Sequence, residues 1–459
     1  MNVENNTENK TIAAISTPAG VGAVSIVRMS GKKSLDILQK IFVKKTAGKL
    51  QTHKIYYGHI SHAGKTIDEV LVTIMLAPKS YTTEDIVEIN CHGGHISAKA
   101  VLFAVISNGA VIAQPGEFTK RAFLNGRIDL SQVEAVIDII NTTSAFAHNA
   151  AINMLGGSLS KKIQTMRQEL LAKIATLEVA IDYPEEEYFT STDDIKQTIN
   201  NHIQQLDQII KNAKVYELSK QGIKTVILGK PNVGKSSLLN TLLQQDRAIV
   251  TDIPGTTRDT ISEHLLIGNI PITIIDTAGI HQTADKIEAL GVERTHSAIE
   301  HADLLLAVID ISKPITTDDL SILDLATPKK HIVVCNKIDQ GINEKTLSQI
   351  EKTTEKSQII KISATTQAGL QDLKNAILAH YPQIDIAAEI TAANARQQEV
   401  LYKAKQALSL AKKSINENQS EEFISLDMTT AYNTLGEALG ENTNEDIINK
   451  IFENFCLGK

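Results

Sequence analysis

The segment Gly229-Lys230-Pro231-Asn232-Val233-Gly234-Lys235-Ser236 fits the phosphate-binding pattern G-x-x-x-x-G-K-[ST] without a mismatch. In such a loop, backbone N–H groups and the N-terminus of the following helix converge on phosphate oxygens. Lys235 would reach the β- and γ-phosphates, and the Ser236 hydroxyl would ligate Mg²⁺. Asn232, Val233, Gly234 and Ser237 complete the expected contacts of this loop. A second loop, Thr251, Asp252, Ile253, Pro254, Gly255, Thr256 and Thr257, supplies a threonine, Thr257, that can close over the γ-phosphate and the metal. Asp276, with Thr277, Ala278 and Gly279, can hold Mg²⁺ through water. Asn336-Lys337-Ile338-Asp339 follows. Its Asp339 carboxylate can accept hydrogen bonds from the N1–H and 2-amino group of guanine, and adenine offers neither. Ser363 and Ala364 would present backbone to the guanine oxygen. Pieces of this kind, in this order, make a GTP-binding domain with Lys235 and Asp276 in its catalytic machinery.

Elements must hold these loops. The apolar runs 225–228, 270–275, 333–335 and 359–362 read as buried strands, each ending at one of the loops, and residues 237–240 open a helix. This α/β unit spans about 222–380. Residues 1–120 read as a separate α+β domain, with strands at 12–15, 23–28, 54–60, 70–76 and 86–90 and helices at 34–42 and 96–107. Gly20 and Gly22 miss the third glycine of a dinucleotide fingerprint, where Ser25 stands. Cys91, His92 and His95 have no second ligand pair for zinc, so Gly93 and Gly94 read as a turn that brings backbone close. From Ser131 the period becomes helical. Ser131 and Glu134 are expected to form a capping box. Long amphipathic helices follow at about 158–182 and 193–218. Helices resume at about 394, and Thr443 with Asp446 is expected to cap the last one. Helical segments 121–221 and 381–459 on either side of the α/β unit predict one discontinuous bundle with a Ras-like domain inserted in it.

Bulk properties narrow the class. The 459 residues carry a formal net charge of −7, which argues against a protein held on nucleic acid by bulk charge. No run reaches transmembrane length and no signal peptide opens the chain. Three cysteines form no disulfide framework, which suits a reducing cytoplasm.

Nearly the whole chain resembles one family, the tRNA modification GTPases MnmE (TrmE). The resemblance rests on Thr11-Ile12-Ala13-Ala14, Thr17-Pro18 and Gly22; Glu84-Asp85, Glu88 and Cys91-His92-Gly93-Gly94; Arg121 through Arg127 with Asp129-Leu130; Gly255-Thr256-Thr257-Arg258-Asp259; and Phe455-Cys456-Leu457-Gly458-Lys459. It implies a folate-binding-like N-terminal domain that also makes a homodimer. Arg28, Glu88, Arg127 and Lys459 match the residues that contact a tetrahydrofolate one-carbon derivative, in its 5-formyl or methylene form. The family often has lysine at the Arg127 position. It implies a partner, MnmG (GidA), which carries FAD and joins it in a heterotetramer. Together they place an aminomethyl or carboxymethylaminomethyl group on C5 of the wobble uridine of tRNA. Cys456 stands at a functional cysteine position.

Ras-like enzymes orient water with a glutamine where this chain has Ile280. The resemblance implies instead a potassium ion held by Asn232 and by oxygens of Thr251, Ile253 and Thr256, and Glu288 as an indirect water-orienting residue. It further implies that two GTP domains meet during hydrolysis. Two other readings stay open: a ribosome-assembly GTPase, and a folate-binding scaffold whose GTP site is dead.

Overall fold

The computed structural model describes residues 10–45, 48–183, 192–246, 262–268, 270–276, 298–381 and 390–459. It is a mixed α/β chain in two compact units. One holds Met1–Ile137, Leu155–His202 and Lys403–Lys459; the other holds Asp138–Met154 and Ile203–Tyr402.

The first unit contains a seven-stranded sheet. Its strands are β1 (Ile12–Ile15), β2 (Val24–Ser30), β3 (Phe42–Lys44), β4 (Lys54–His62), β5 (Lys65–Met75), β6 (Ile86–His92) and β7 (Val111–Ile112), in the order β3-β4-β5-β6-β2-β1-β7. Every pairing is antiparallel except β1 with β7. Strand side chains alternate between faces. Val27, Met29, Val70, Val72, Val87 and Ile89 therefore share one face, packed against Ile37 and Leu38 of α1 (Ser34–Ile41) and Val101 and Val105 of α2 (His95–Ser107). The same alternation turns Arg28 and Glu88, which are register partners, to the other face. At the predicted turn, a Cβ on Gly93 would lie 2.0 Å from the Gly22 carbonyl oxygen, so only glycine permits that approach.

Helices follow: α3 (Glu117–Leu124), α4 (Leu130–Asn141), α5 (Ala145–Leu155), α6 (Ser158–Asp182) and α7 (Thr192–Gln221). In α6 the spacing of Ile163, Met166, Leu170, Ile174 and Leu177 makes one buried stripe. It packs on the helix Glu421–Leu439, whose Ile424, Met428, Ala431 and Leu435 are buried. Two expected caps are corrected. Ser131 lies inside α4, and the reciprocal bonds run between Asp129 and Gln132, each backbone N–H donating to the other's side chain at 3.0 Å. The last helix, Glu445–Glu453, is capped by Asn444, which accepts from the Asp446 N–H at 3.0 Å, rather than by Thr443. The first of these helices is capped two residues before the position that the local pattern favoured and the last one residue after it, because neighbouring side chains also suit a cap.

The second unit is built on a six-stranded sheet: β8 (Ile223–Leu228), β9 (Ser262–Ile267), β10 (Ile270–Asp276), β11 (Leu304–Asp310), β12 (His331–Asn336) and β13 (Ile359–Lys361). Its order is β13-β12-β11-β8-β10-β9, parallel except for β9 against β10. One face packs on α8 (Lys235–Asp246) and on the helix Leu370–Ala379 through Leu238, Leu242, Leu373 and Ile377. The other packs on the helices Thr317–Ala326 and Glu344–Thr353 through Leu323, Ala326, Leu347 and Ile350. Burial on both faces explains the unbroken apolar runs of β11 and β12. In such sheets, ligands bind beyond the carboxyl ends of the strands.

Candidate nucleotide-binding site

The loop between β8 and α8 sits at the carboxyl end of the central strand. Gly229 has φ +157° and Gly234 φ +102°. A Cβ on Gly234 would meet the Asn336 side chain at 2.3 Å, and one on Gly229 would meet the Val308 carbonyl oxygen at 2.6 Å. Glycine is thus required for both the backbone angle at Gly234 and the close packing at both positions. Asn232 holds a left-handed φ of +65° without being glycine, a conformation that Asn tolerates. Lys235, 8% exposed, folds into the loop and donates to the Gly229 and Lys230 carbonyl oxygens at 2.6 and 2.8 Å. Those carbonyls hold the ammonium beside the backbone amides that a phosphate would meet. Ser236 and Ser237 follow in the exposed first turn of α8.

The turn after β13 is joined to this loop by Asn336. Its amide group donates to the Val233 carbonyl oxygen at 2.8 Å, and its side-chain oxygen accepts from the Ala364 N–H at 3.0 Å. Thr241 of α8 donates to the Ala364 carbonyl oxygen at 3.0 Å, and Ser363 and Ala364 are both buried. Lys337, at φ +70°, donates to the Asn232 carbonyl oxygen and to Asp310, each at 2.8 Å. Burial raises the Asp310 pKa, but Lys337 and Ser312 more than offset it and hold the carboxyl below the usual range. Asp339 lies exposed in the short turn after Lys337. Among the expected residues, the structure brings together Asn232, Val233, Gly234, Lys235, Asn336, Lys337, Ser363 and Ala364.

Asp276 ends β10, with its backbone registered against Ile227 of β8, two residues before Gly229. Thr251, Asp252, Ile253, Pro254, Gly255, Thr256, Thr257, Thr277, Ala278, Gly279 and Glu288 lie outside the described residues. The phosphate-loop pattern gives no role to Lys230, whose ammonium donates to Asp319 and Thr316, each at 2.7 Å. A pattern that treats this position as any residue carries no signal for it.

A second constellation lies on the N-terminal sheet. Arg28 donates through Nε to Glu88 at 2.8 Å and pairs with it through Nη2 at 2.8 Å. Its Nη1 donates to the Gly458 carbonyl oxygen at 3.2 Å. Its guanidinium also lies 5.6 Å from the Phe118 ring centre and 6.0 Å from that of Tyr81. Arg127 stacks over Tyr81 at 4.8 Å, within reach of cation–π attraction. Tyr81, Arg127, Asn125 and Met75 line a shallow, open depression of about 550 Å³. The C-terminal tail is seated here: the Phe118 N–H donates to the Lys459 carbonyl oxygen at 3.2 Å, and a Cβ on Gly458 (φ +91°) would lie 2.6 Å from the Ile15 carbonyl oxygen. Cys456 is exposed on that tail, whereas Cys91 is buried and its thiol is pushed up to about 11 by burial. Tyr81 and Phe118 were not expected at this site, since isolated aromatics give no spacing signal.

Two family models match the chain. One, described as the GTP-binding protein TrmE N-terminus, matches residues 11–127, and one described as the MnmE helical domain matches residues 130–456. A tRNA modification GTPase MnmE of Lactobacillus acidophilus is 44% identical over 458 residues, covering 99% of both chains. One of Acetivibrio thermocellus is 45% identical over 455 residues, covering 98% of this chain and 99% of that one. A solved structure of Aquifex aeolicus Era bound to GDP and AlF4⁻ is 31% identical, covering 41% of this chain and 67% of that one, with a TM-score of 0.29, too low to bear on the fold.

Proposed function

This chain belongs to the MnmE family of tRNA modification GTPases, and we propose that it is a potassium-dependent GTPase that modifies the wobble uridine of tRNA at C5 with an FAD-containing partner, MnmG. Its enzymatic class is that of a GTP hydrolase acting in tRNA modification, with GTP and Mg²⁺ as ligands of the family. The observation that carries the reading is the Lys235-bearing loop locked through Asn336 to the buried turn at Ser363 and Ala364. One clamp holds phosphate and the other holds a base.

On this reading, Lys235 exchanges the Gly229 and Lys230 carbonyls for phosphate oxygens when GTP enters. Fixed amides and the buried Lys235 ammonium need little reorganisation as charge develops on the phosphoryl group. Asp339 selects guanine. Ser236, Thr257 and Asp276 are the residues that would hold Mg²⁺; the described backbone fits this, since Ser236 and the end of β10 both lie at the carboxyl side of β8. Asn232, Thr251, Ile253 and Thr256 would hold K⁺, and its charge would serve where Ile280 cannot orient water. The exposed position of Asn232 in a left-handed turn supports its part. Glu288 acts on water indirectly.

For the N-terminal domain, residues 1–120, the reading is binding of a 5-formyl or methylene tetrahydrofolate by Arg28, Glu88, Arg127 and Lys459. The Tyr81–Arg127 stack beside an open depression supports it, because a pterin is a flat ring that stacks. Homodimerisation is supported by Val43, Ile55, Tyr57 and Leu71, exposed together on the outward side of β3, β4 and β5. The helical segments 121–221 and 381–459 would carry movement of the GTP domain, 222–380, to the folate and MnmG sites, and Cys456 would serve the chemistry on the tail. A cytoplasmic setting suits the tRNA substrate. Among the described residues no helix is long and apolar enough to cross a membrane.

The test is nucleoside mass spectrometry of tRNA from cells lacking the protein. Loss of the aminomethyl-type wobble uridines, restored by the intact gene but not by Asp276→Ala, is expected. Unchanged wobble uridines, in cells with no second copy, would move the assignment to ribosome assembly. Undetectable hydrolysis with potassium present would instead favour the scaffold with a dead GTP site.

A further inference from the structure

We propose that Lys230 and Asp319 form a positioning pair that sets the affinity of the phosphate loop for the diphosphate shared by GDP and GTP. Lys230 is the second residue of the loop. A lysine on a loop ordinarily keeps its ammonium in solvent. It turns instead toward the N-terminus of the helix Thr317–Ala326, where Nζ donates to Asp319 Oδ2 and Thr316 Oγ1, each at 2.7 Å.

The acceptor is prepared for it. Asp319 Oδ2 also accepts from the Thr316 N–H and hydroxyl at 2.9 Å each. The Asp319 side chain is 4% exposed, and its other oxygen, Oδ1, is buried without a hydrogen bond. A buried carboxylate with one unsatisfied oxygen depends on its cation, because removing one partner leaves an uncompensated charge. The segment before Thr316 is itself pinned: the Ile315 N–H donates to the Thr346 hydroxyl at 3.0 Å, and that hydroxyl donates to the Lys313 carbonyl oxygen at 2.8 Å. Lys230 is therefore anchored to a fixed point of the domain.

The backbone of the same residue carries the consequence. The Lys230 carbonyl oxygen accepts from Lys235 Nζ at 2.8 Å, and two residues on, the Asn232 carbonyl oxygen accepts from Lys337 at 2.8 Å. The side-chain anchor of Lys230 and the Lys337 contact at Asn232 thus hold the loop at two points from outside. Affinity follows from this preorganisation, since an already ordered loop pays less entropy on binding. The hydrolytic step and the choice of base involve other groups.

The test uses the full-length protein with Mg²⁺. Lys230→Met keeps the stem and removes the charge, and is expected to weaken GDP binding by calorimetry, and to raise KM for GTP, by about tenfold. The expected kcat stays within about twofold of wild type. Lys230→Arg is expected to restore GDP binding. Asp319→Asn, which keeps an acceptor for Thr316, is expected to reproduce the weakening, and the double variant to be no weaker than either single one. GDP affinity of folded Lys230→Met within about twofold of wild type would overturn the proposal, as would a loss confined to kcat. If Lys230→Met fails to fold, Asp319→Asn decides: unchanged GDP affinity overturns the proposal, and weakened affinity with unchanged kcat supports it.

Discussion

Asn336 shows how much one side chain can join. Its two polar ends satisfy the Val233 carbonyl and the Ala364 N–H, and the residue is 2% exposed. Asn336→Ala would strand both backbone groups, at a cost of about 1–3 kcal/mol for each unsatisfied group. We expect a lower thermal midpoint and weaker GDP binding together, by differential scanning fluorimetry and calorimetry; a change in only one of them would separate the structural from the binding role. Asp339→Asn, on the exposed neighbouring turn, should leave stability unchanged and shift preference from guanine toward xanthine nucleotides. Unaltered guanine selectivity would remove Asp339 from base recognition. Asn232→Ala should abolish potassium stimulation of hydrolysis, and full stimulation in that variant would place the ion elsewhere.

Between α6 and α7, stability should depend on pH through His202. The residue is 1% exposed, neither ring nitrogen makes a hydrogen bond, and Nε2 lies 3.4 Å from the Glu169 carboxylate. Burial lowers its pKa, against the opposing pull of Glu169. The unfolded imidazole takes up its proton near the ordinary value of about 6.5, before the folded one does. Its contribution is thus fully present above that pH and is lost as pH falls toward the depressed folded value. Chemical denaturation of wild type should show stability declining from about pH 7 to pH 5, and His202→Leu should flatten that slope. An equal slope in both proteins would assign it to other groups. The helices themselves were legible from apolar spacing, as the α6 stripe shows. Their caps were not, because Ser131, Asp129, Thr443 and Asn444 are all competent cap residues and only packing chose among them. β11 was also missed: the run Leu-Leu-Leu-Ala-Val-Ile has no alternation, so its period does not tell a strand from a buried helix.

For the molecule as a whole, the tail reports on the N-terminal domain. Gly458→Ala places a Cβ against the Ile15 carbonyl at a φ that only glycine adopts easily. The tail should unseat, and the Phe118 amide, which donates to Lys459, should lose protection in hydrogen exchange. Retained protection at Phe118 would show that the tail tolerates the substitution. Leu71→Asp, on the exposed apolar face, should convert a dimer to a monomer in analytical ultracentrifugation; a persistent dimer would exclude that face as the contact.

The sequence by itself determined the nucleotide loop, the strands that end at Gly229, Asp276, Asn336 and Ser363, and the long helical stripes. Those features are local: their periods, glycines and spacings are written within a few residues. Only the tertiary structure decided that Arg28 meets a carbonyl 430 positions away, and that Lys230 meets Asp319, 89 positions away. Arginine, lysine and aspartate are common surface residues with no pattern of their own, and what they do depends on which strand ends and helix starts the fold brings beside them.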